Sequence, residues 1–368
     1  MSPASWAAVP ARLYAHSPAW VQPIRSDALA LLKSKQHPFR RQAWFEHFVL
    51  MDDDRAVGRV VATVHRSYIE RHGENIGYFG FLDAPVERRY FEPLLRTAED
   101  WLANRGMDVV AGPYNYWSGQ EMGLLTKGFD ARPTVFQTWN PPGYRELLEE
   151  LGYRKRADLT SYRISRETIR QLMSRLQRLG ARITDGRAAD LTVRRMRGSA
   201  VVEDLELVRL LFNRTFADNH EIVAYDRETW EFLVHPIRKL LDPDLVLFVQ
   251  RGDEPLGMIF MAPDLNRIIA ALDGRLRLWD YPKVVRARRS IDTAVVLVLG
   301  VVPEAPPGTA ARLLWEAAEI LLNSKYTSLE TTWVHESNRS FDRGLRAFGD
   351  SRDHKHWVLM EKDLVRTP

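Results

Sequence analysis

An internal repeat limits the fold of this chain more than any other feature of the sequence. The stretches "GYFGFLDAPVERRYFEPLLRTAEDWLANRGMDVV" and "VVLVLGVVPEAPPGTAARLLWEAAEILLNSKYTSLE" lie about 219 residues apart. Each reads as an apolar strand, a short loop, an amphipathic helix and a second strand. A unit that recurs at this spacing is one supersecondary structure present twice. The chain is therefore predicted to contain two copies of one α+β fold.

The repeat continues on both sides of this segment. Downstream, a helix starts near Asn140 and another near Asn338, and each is expected to end at a glycine, Gly152 or Gly349. Upstream, "FEHFVLMDDDRAVGRVVATVH" and "LVLFVQRGDEPLGMIFMAPD" both read as β-hairpins with polar turns. The order hairpin, strand, helix, strand, helix, strand is thus predicted in each copy.

The boundaries of the copies follow from the change in offset. The downstream segments are only about 198 residues apart, so the first copy carries roughly 20 extra residues. We predict an N-terminal domain over 1–165, with an aromatic insertion at about 111–139. A basic linker helix is predicted over 166–189, and a C-terminal domain over 190–368.

Composition excludes several classes of protein. Apolar residues make up 45% of the chain and charged residues 27%, as expected of a globular protein. With no cysteine, disulfides and thiolate chemistry are excluded. No apolar run reaches the ~18 residues of a membrane span, and the first residues do not resemble a secretory signal. We therefore expect a cytoplasmic protein with no membrane partner.

Basic residues are unevenly distributed although the net charge is only +4. One cluster comprises Lys283, Arg286, Arg288 and Arg289, and another runs from Arg163 to Arg197. Such clusters either form a solvated face or contact phosphate, for example of a nucleotide, a carrier-protein arm or RNA.

The predicted order of elements resembles the GNAT N-acetyltransferase fold. The segments "EAPPGTAARLL" and "ESNRSFDRGLRAFG" carry this resemblance in the second half, and the whole chain resembles a tandem GNAT protein. The phrases "PDLNRIIAALDGRL" and "NPPGYRELLEELGYRKRADL" further resemble the YghO-like group of tandem GNAT proteins. The implied fold is α+β, with two GNAT-like domains, each a mixed, mostly antiparallel twisted sheet flanked by helices.

The resemblance implies a site for acetyl-CoA or another acyl-CoA in the second copy. Its diphosphate would lie on backbone N–H groups at a helix start, where the helix dipole also favours an anion. Ala305 replaces the family's Gln or Arg, and Pro306 and Pro307 lack an N–H, so the loop is degenerate. The residues implied in binding are Val301, Val302, Gly308, Thr309, Ala310, Ala311 and Asn338. Asn338 also suits a helix N-cap.

Candidates for catalysis come partly from the aromatic insertion. The family's usual acidic tyrosine is replaced by Leu148 and Leu345, and nearby Tyr144 is an alternative of different helical phase. Glu121, Tyr116 and His335 are the predicted catalytic residues, because amide formation needs a group that takes a proton from the amine. Predicted substrate contacts are Tyr78, Tyr114, Asn115, Trp117, Ser118 and Gln120. No metal site is predicted.

The function implied by the resemblance is acyl transfer from coenzyme A, or from a phosphopantetheine carrier protein, to the amine of a small molecule. A Fem-type transferase with aminoacyl-tRNA as donor is one alternative, and the degenerate loop and the basic linker suit it. A non-catalytic tandem GNAT protein that binds a ligand is another. The acyl group, the acceptor and the oligomeric state stay open.

Overall fold

The fold was analysed in a computed structural model. It describes residues 2–365 apart from 26–28, 30–31, 33–36, 117–120, 181–189, 220–221, 236, 276 and 339–351. The helices are α1 (Pro3–Tyr14), α2 (Phe39–Gln42), α3 (Arg66–His72), α4 (Arg88–Ala103), α5 (Tyr144–Glu150), α6 (Arg166–Gly180), α7 (Val201–Thr215), α8 (Arg227–Val234), α9 (Asn266–Leu272), α10 (Tyr281–Ser290) and α11 (Thr309–Leu322).

The strands form one continuous mixed sheet. They are β1 (Ala43–Asp52), β2 (Arg55–His65), β3 (Ile76–Asp83), β4 (Val109–Gly112), β5 (Leu124–Lys127), β6 (Arg154–Ser165), β7 (Leu191–Arg195), β8 (Val246–Arg251), β9 (Glu254–Pro263), β10 (Thr293–Val301), β11 (Ser328–Thr331), β12 (Val334–His335) and β13 (Arg352–Asp363). The main order is β1-β2-β3-β4-β13-β6-β11-β10-β9-β8-β7, with β12 paired to β6 and β5 to β13.

The last strand of each repeat is exchanged between the copies. Strand β13, from the end of the chain, pairs with β4 of the first copy and with β6. Strand β6, which ends the first copy, pairs with β11 of the second copy. Because the two exchanged strands also pair with each other, the sheets of both copies are joined through backbone hydrogen bonds.

Two amphipathic helices occupy equivalent places in the copies. In α4 the buried residues recur at helical spacing: Phe91, Leu94, Leu95, Ala98 and Leu102. In α11 they are Thr309, Leu313, Ala317, Ala318, Ile320 and Leu321. Each fully buried aliphatic side chain contributes about 1.5–3 kcal/mol, so these faces attach the helices to the sheet.

The predicted hairpins are present as antiparallel pairs, β1 with β2 and β8 with β9. Helix α5 is followed by Gly152 at φ +87°, the left-handed conformation expected there. The corresponding Gly349 lies outside the described residues. The predicted α+β class is confirmed by this sheet and its flanking helices.

Candidate active site

Two strands of the second copy separate at a defined point. Strands β10 and β11 pair in parallel over Thr293–Val296 and Ser328–Thr331. Beyond that, Thr332 donates a last backbone hydrogen bond to Val296 O at 3.1 Å. Strand β12 then pairs with β6 instead. Among the described residues no backbone hydrogen bond joins β10 to β12. A gap therefore separates the two strands, and the edge of β10 after Val296 faces it.

A β-bulge lies at the same point. The pairing of β10 with β9 shifts register between Val296 and Val298, which leaves Leu297 without a partner on β9. A bulge disturbs the ladder and redirects the backbone of the extra residue. Leu297 is therefore the extra residue of the bulge, and it lies at the vertex where the two strands diverge.

The helix that follows β10 begins with backbone donors directed away from the helix. Gly308 is the N-cap of α11 at φ +96°, a conformation that favours glycine. Thr309 uses its N–H and its hydroxyl to bond Pro306 O, at 3.2 and 2.7 Å. No described residue accepts a hydrogen bond from the N–H of Gly308, Ala310 or Ala311. Three donors at a helix start fit an anionic group such as a diphosphate.

The equivalent gap in the first copy is bridged by the chain itself. Strands β3 and β4 pair in parallel from Ile76 to Tyr78, and Tyr114 N then donates to Phe79 O at 2.7 Å. Asn115 Oδ1 accepts from Phe81 N at 2.7 Å. The N–H of Phe81, on the edge of β3, is thus already bonded to the side chain of Asn115 in the first copy.

A buried polar network closes the end of β3. Arg59 Nε donates to Asp83 Oδ2 at 2.6 Å, and Tyr14 Oη donates to Asp83 Oδ1 at 2.8 Å. Tyr144 Oη donates to Ala84 O, accepts from Ala84 N and lies 2.8 Å from Tyr14 Oη. Burial raises the pKa of Tyr14 and of Tyr144, so both hydroxyls stay protonated. The hydroxyl of Tyr144 therefore has a structural role, because it hydrogen-bonds the backbone of Ala84.

A narrow cavity of about 190 Å³ lies beside this network. Glu121 lines it, with its Oε2 accepting from Asn115 Nδ2 at 2.8 Å. The side chain is accessible to solvent through the cavity although protein surrounds it. This enclosure raises the pKa of Glu121, and the hydrogen bond from Asn115 partly opposes the rise. Glu121 is thus a carboxylate with raised basicity, as a proton acceptor requires.

A larger cavity of about 740 Å³ adjoins the first between the insertion of the first copy and the helices α9 and α10 of the second. Its acidic residues are Asp130, Asp264 and Glu330, and its basic residues are Arg132, Arg163, Arg267, Lys283 and Arg286, with His354 beside them. Arg132, Arg163 and Arg286 are exposed and form no ion pair with a described residue. Asp264 and Glu330 are buried, so the cavity has an acidic floor and a basic rim.

The floor contains a buried polar triad formed by Glu330, Lys355 and Gln137. Lys355 Nζ lies 2.5 Å from Glu330 Oε1 and donates to Gln137 Oε1 at 2.9 Å. Gln137 Nε2 in turn donates to the carbonyls of Thr331 and Thr332, at 3.1 and 2.7 Å. Burial lowers the pKa of Lys355, and the nearby Glu330 opposes that shift. The triad therefore attaches the insertion of the first copy to the vertex of the second.

Asp264 is the second carboxylate of the floor. It follows β9, is 6% exposed, and accepts from Asn266 N at 3.2 Å. Burial, with Glu330 next in importance, raises its pKa to about 6. Arg267 is 3.8 Å away and pairs more closely with Asp292, at 3.0 Å. A buried carboxylate of this basicity can bind an ammonium group and accept its proton.

The predicted site residues occupy several different places. Tyr116 is buried, bonds His47 and packs among Phe45 and Phe81, while Tyr78 and Tyr114 pack against each other in the core. His335 lies on β12, and its Nδ1 accepts from Ser337 N at 3.1 Å, which places the proton of a neutral ring on Nε2.

The remaining predicted residues divide into described and undescribed ones. Asn338 is exposed, and its N–H donates to His335 O at 2.9 Å. Val301 is the last residue of β10, and Val302 is buried with its N–H bonded to Leu256 O. Trp117, Ser118 and Gln120 lie outside the described residues, as does Leu345. The structure thus brings Asn115 and Glu121 together but places His335 on a separate strand.

Asp264, Glu330, Lys355 and Gln137 are not among the catalytic or binding residues predicted from the sequence. Asp264 belongs to a polar segment after a hairpin that could bind substrate or only make turns, and Glu330 is one acid beside an apolar strand. A signal is present for Lys355, a cation with apolar neighbours in "HKHWVLM", since a central strand of a sheet buries its side chains. Which carboxylate it meets depends on the exchange of strands.

Comparison with solved structures identifies the fold. A tandem GNAT protein from the clavulanic acid biosynthesis pathway matches with a TM-score of 0.54 at 12% identity, covering 100% of this chain and 96% of that one. A GCN5-related N-acetyltransferase from Sphaerobacter thermophilus matches at 0.50 and 16% identity, covering 99% and 94%. The chain has the tandem GNAT fold, which confirms the resemblance predicted from the sequence.

Two curated relatives are similar over nearly their whole length. Protein YghO of Escherichia coli K12 is 26% identical over 370 residues, covering 97% of this chain and 92% of the relative. The bacterial ceramide synthase of Caulobacter vibrioides is 27% identical over 367 residues, covering 97% and 94%. No protein-family model matches the chain.

Two further properties of the chain bear on cofactors and membranes. Within the described part of the chain, no cluster of three or more histidine or acidic side chains is arranged to bind a metal ion. In that same part, every helix is too short or too polar to cross a bilayer.

Proposed function

We propose that this protein is an N-acyltransferase that moves an acyl group from coenzyme A, or from a phosphopantetheine carrier, to the amine of a small molecule. The observation that carries the proposal is the contrast between the two gaps. The second copy keeps an open strand edge beyond Val296 and three available N–H groups at α11. In the first copy, Asn115 fills the equivalent gap.

The donor is assigned to the second copy. The N–H groups of Gly308, Ala310 and Ala311 would bind its diphosphate, and the open edge of β10 would pair with the amides of its pantetheine arm. Bound there, an acyl-CoA supplies an activated thioester carbonyl. The backbone at the bulge residue Leu297 is suited to hydrogen-bond the oxygen of that carbonyl, where negative charge develops during attack.

The acceptor is assigned to the larger cavity. Its buried floor presents Asp264 close to the vertex, and this carboxylate would bind the ammonium form of the acceptor and take up a proton. Lys355 pairs with Glu330 at 2.5 Å, whereas the ion pair of Asp264 with Arg267 is longer, at 3.8 Å, which leaves Asp264 the less tightly paired acid of the floor. Asp264 thereby takes the role that the sequence suggested for Glu121, which lies in the neighbouring cavity.

The relative from Caulobacter narrows the acceptor class. A ceramide is the fatty-acyl amide of a long-chain amino alcohol, and that relative is named as a ceramide synthase. Similarity over 97% of this chain supports a long-chain primary amine as acceptor and a fatty acyl group as the transferred group. A cavity of about 740 Å³ has room for the polar end of such a molecule.

The test is direct amide formation by purified protein. Palmitoyl-CoA and acetyl-CoA are each incubated with a long-chain amino alcohol, and the amide is detected by mass spectrometry. Release of coenzyme A is followed with a thiol reagent, which reports only the product because the chain has no cysteine. Amide formed in step with thiol supports the proposal, and the absence of both with every donor contradicts it.

A further inference from the structure

Two aromatic side chains stand exposed at the start of helix α10, whose residues Lys283, Arg286, Ala287 and Ser290 line the larger cavity. Trp279, in the turn Leu278–Asp280, and Tyr281, at the start of α10, are each 71% exposed. Among the described large apolar side chains only Val365, near the end of the chain, is more exposed. Two large aromatic groups exposed to water so close together in the chain indicate an interaction surface.

The helix next to these aromatics is strongly basic and only lightly packed. Helix α10 has no buried residue, and Val284 and Ala287 are its contacts with the core. Arg286, Arg288 and Arg289 are exposed and form no ion pair with a described residue, whereas Lys283 pairs with Asp280 at 2.9 Å. We call Trp279, Tyr281, Lys283, Arg286, Arg288 and Arg289 the aromatic–basic rim.

We propose that the aromatic–basic rim docks this protein on the surface of an anionic lipid bilayer, with the cavity mouth facing the lipid. Trp and Tyr are the side chains that settle at the level of lipid headgroups, because their rings are apolar and their polar atoms stay hydrated. Arginines beside them are attracted to anionic headgroups. This is contact with a surface, and it differs from the sequence-based expectation of no membrane partner.

The position of the rim favours a bilayer over a nucleic acid. Lys283, Arg286, Ala287 and Ser290 of α10 line the cavity whose floor carries Asp264 and Glu330. A nucleic-acid strand that followed the basic side chains inward would meet these carboxylates. A bilayer contacts only the rim, and from there a long-chain molecule can enter the cavity without leaving the lipid. The inference about docking stands on the rim alone and does not require acyl transfer.

Vesicle sedimentation without any acyl donor tests the docking. Wild-type protein should sediment with vesicles of mixed phosphatidylglycerol and phosphatidylcholine, remain in solution with pure phosphatidylcholine, and detach as salt is added. The double variants Trp279→Ala/Tyr281→Ala and Arg288→Gln/Arg289→Gln should each weaken binding by about tenfold or more. Circular dichroism checks that these surface variants stay folded.

Matched controls make the result specific. Trp44→Ala removes an aromatic side chain that is 49% exposed elsewhere, and Arg88→Gln/Arg96→Gln removes two exposed charges of α4. Both should bind vesicles like the wild type. Equal losses in the controls, equal binding to neutral vesicles, or no binding would overturn the proposal. It would also be overturned by retention of RNA, or by rim-dependent dimers in light scattering, in the absence of vesicle binding.

Discussion

The ammonium of Lys355 and the carboxylate of Glu330 lie 2.5 Å apart, with side chains only 1% and 4% exposed. Lys355 belongs to the strand that ends the chain, and Glu330 to the strand at the vertex of the second copy. Gln137 from the first copy bonds both. One ion pair therefore connects the exchanged strand, the insertion and the proposed reaction centre.

Breaking this pair is expected to destabilise the fold. Glu330→Gln leaves the ammonium of Lys355 buried without a counter-charge, which lowers the free energy of unfolding by about 3–5 kcal/mol. The matched control is Glu336→Gln, because Glu336 pairs with Lys155 at 3.5 Å on the surface. That change should cost less than about 1 kcal/mol. Chemical denaturation measures both, and equal small losses would contradict a buried pair.

Asp264→Asn should make the protein more stable at neutral pH. The folded pKa of about 6 lies above the value of 3.8 for an ordinary aspartate, so folding favours the protonated form. That stabilisation is complete below about pH 4 and is lost as the pH rises through 6. The neutral amide avoids the loss, so the variant should gain about 3 kcal/mol near pH 8 and little near pH 4. Denaturant unfolding of the variant and the wild type at both pH values measures this difference in stability.

The same variant should lose acyl transfer. If Asp264 takes the proton of the amine, Asp264→Asn lowers kcat by about 100-fold or more while the protein gains stability. A variant that is more stable and equally active would remove Asp264 from the proposed chemistry. The kcat of Glu121→Gln is compared with that of Asp264→Asn, because Glu121 is the carboxylate of the neighbouring cavity.

Tyr144→Phe separates a structural role from a catalytic one. The hydroxyl satisfies both backbone groups of Ala84 and contacts Tyr14, so its removal should cost about 1–3 kcal/mol. The rate of amide formation per folded molecule should change less than about threefold. A large fall in that rate without loss of stability would instead make Tyr144 the proton donor that the sequence left open.

Much of the fold follows from local patterns, but the joining of its halves does not. The repeat, the two hairpins and the helices α4 and α11 are each encoded in contiguous residues with a clear period. The exchange of β6 and β13 is a choice between partners far apart in the chain, since β6 pairs with β11 and β13 pairs with β4. Periodicity carries no information on that choice.

The candidate site also has one part that follows from local sequence and another that depends on contacts between distant segments. The loop at Gly308 is local, since a glycine before an apolar helix predicts an N-terminal anion site, and the structure gives it φ +96°. Glu121 and Asn115 are close in sequence and in space. Asp264 and the triad of Glu330, Lys355 and Gln137 acquire their environment only when three distant segments pack together, so their roles could not be read from the sequence.

Calorimetric titration of palmitoyl-CoA tests the central claim, that the second copy binds the donor, most directly. Gly308→Ala forces a side chain into a left-handed backbone beside the three N–H donors, and it should weaken binding by about tenfold. Gly73→Ala is the control, with φ +69° and no atom within 4 Å of its added carbon; its affinity should match the wild type. Wild-type affinity in Gly308→Ala, or no heat from the wild type with any acyl-CoA, would contradict the account.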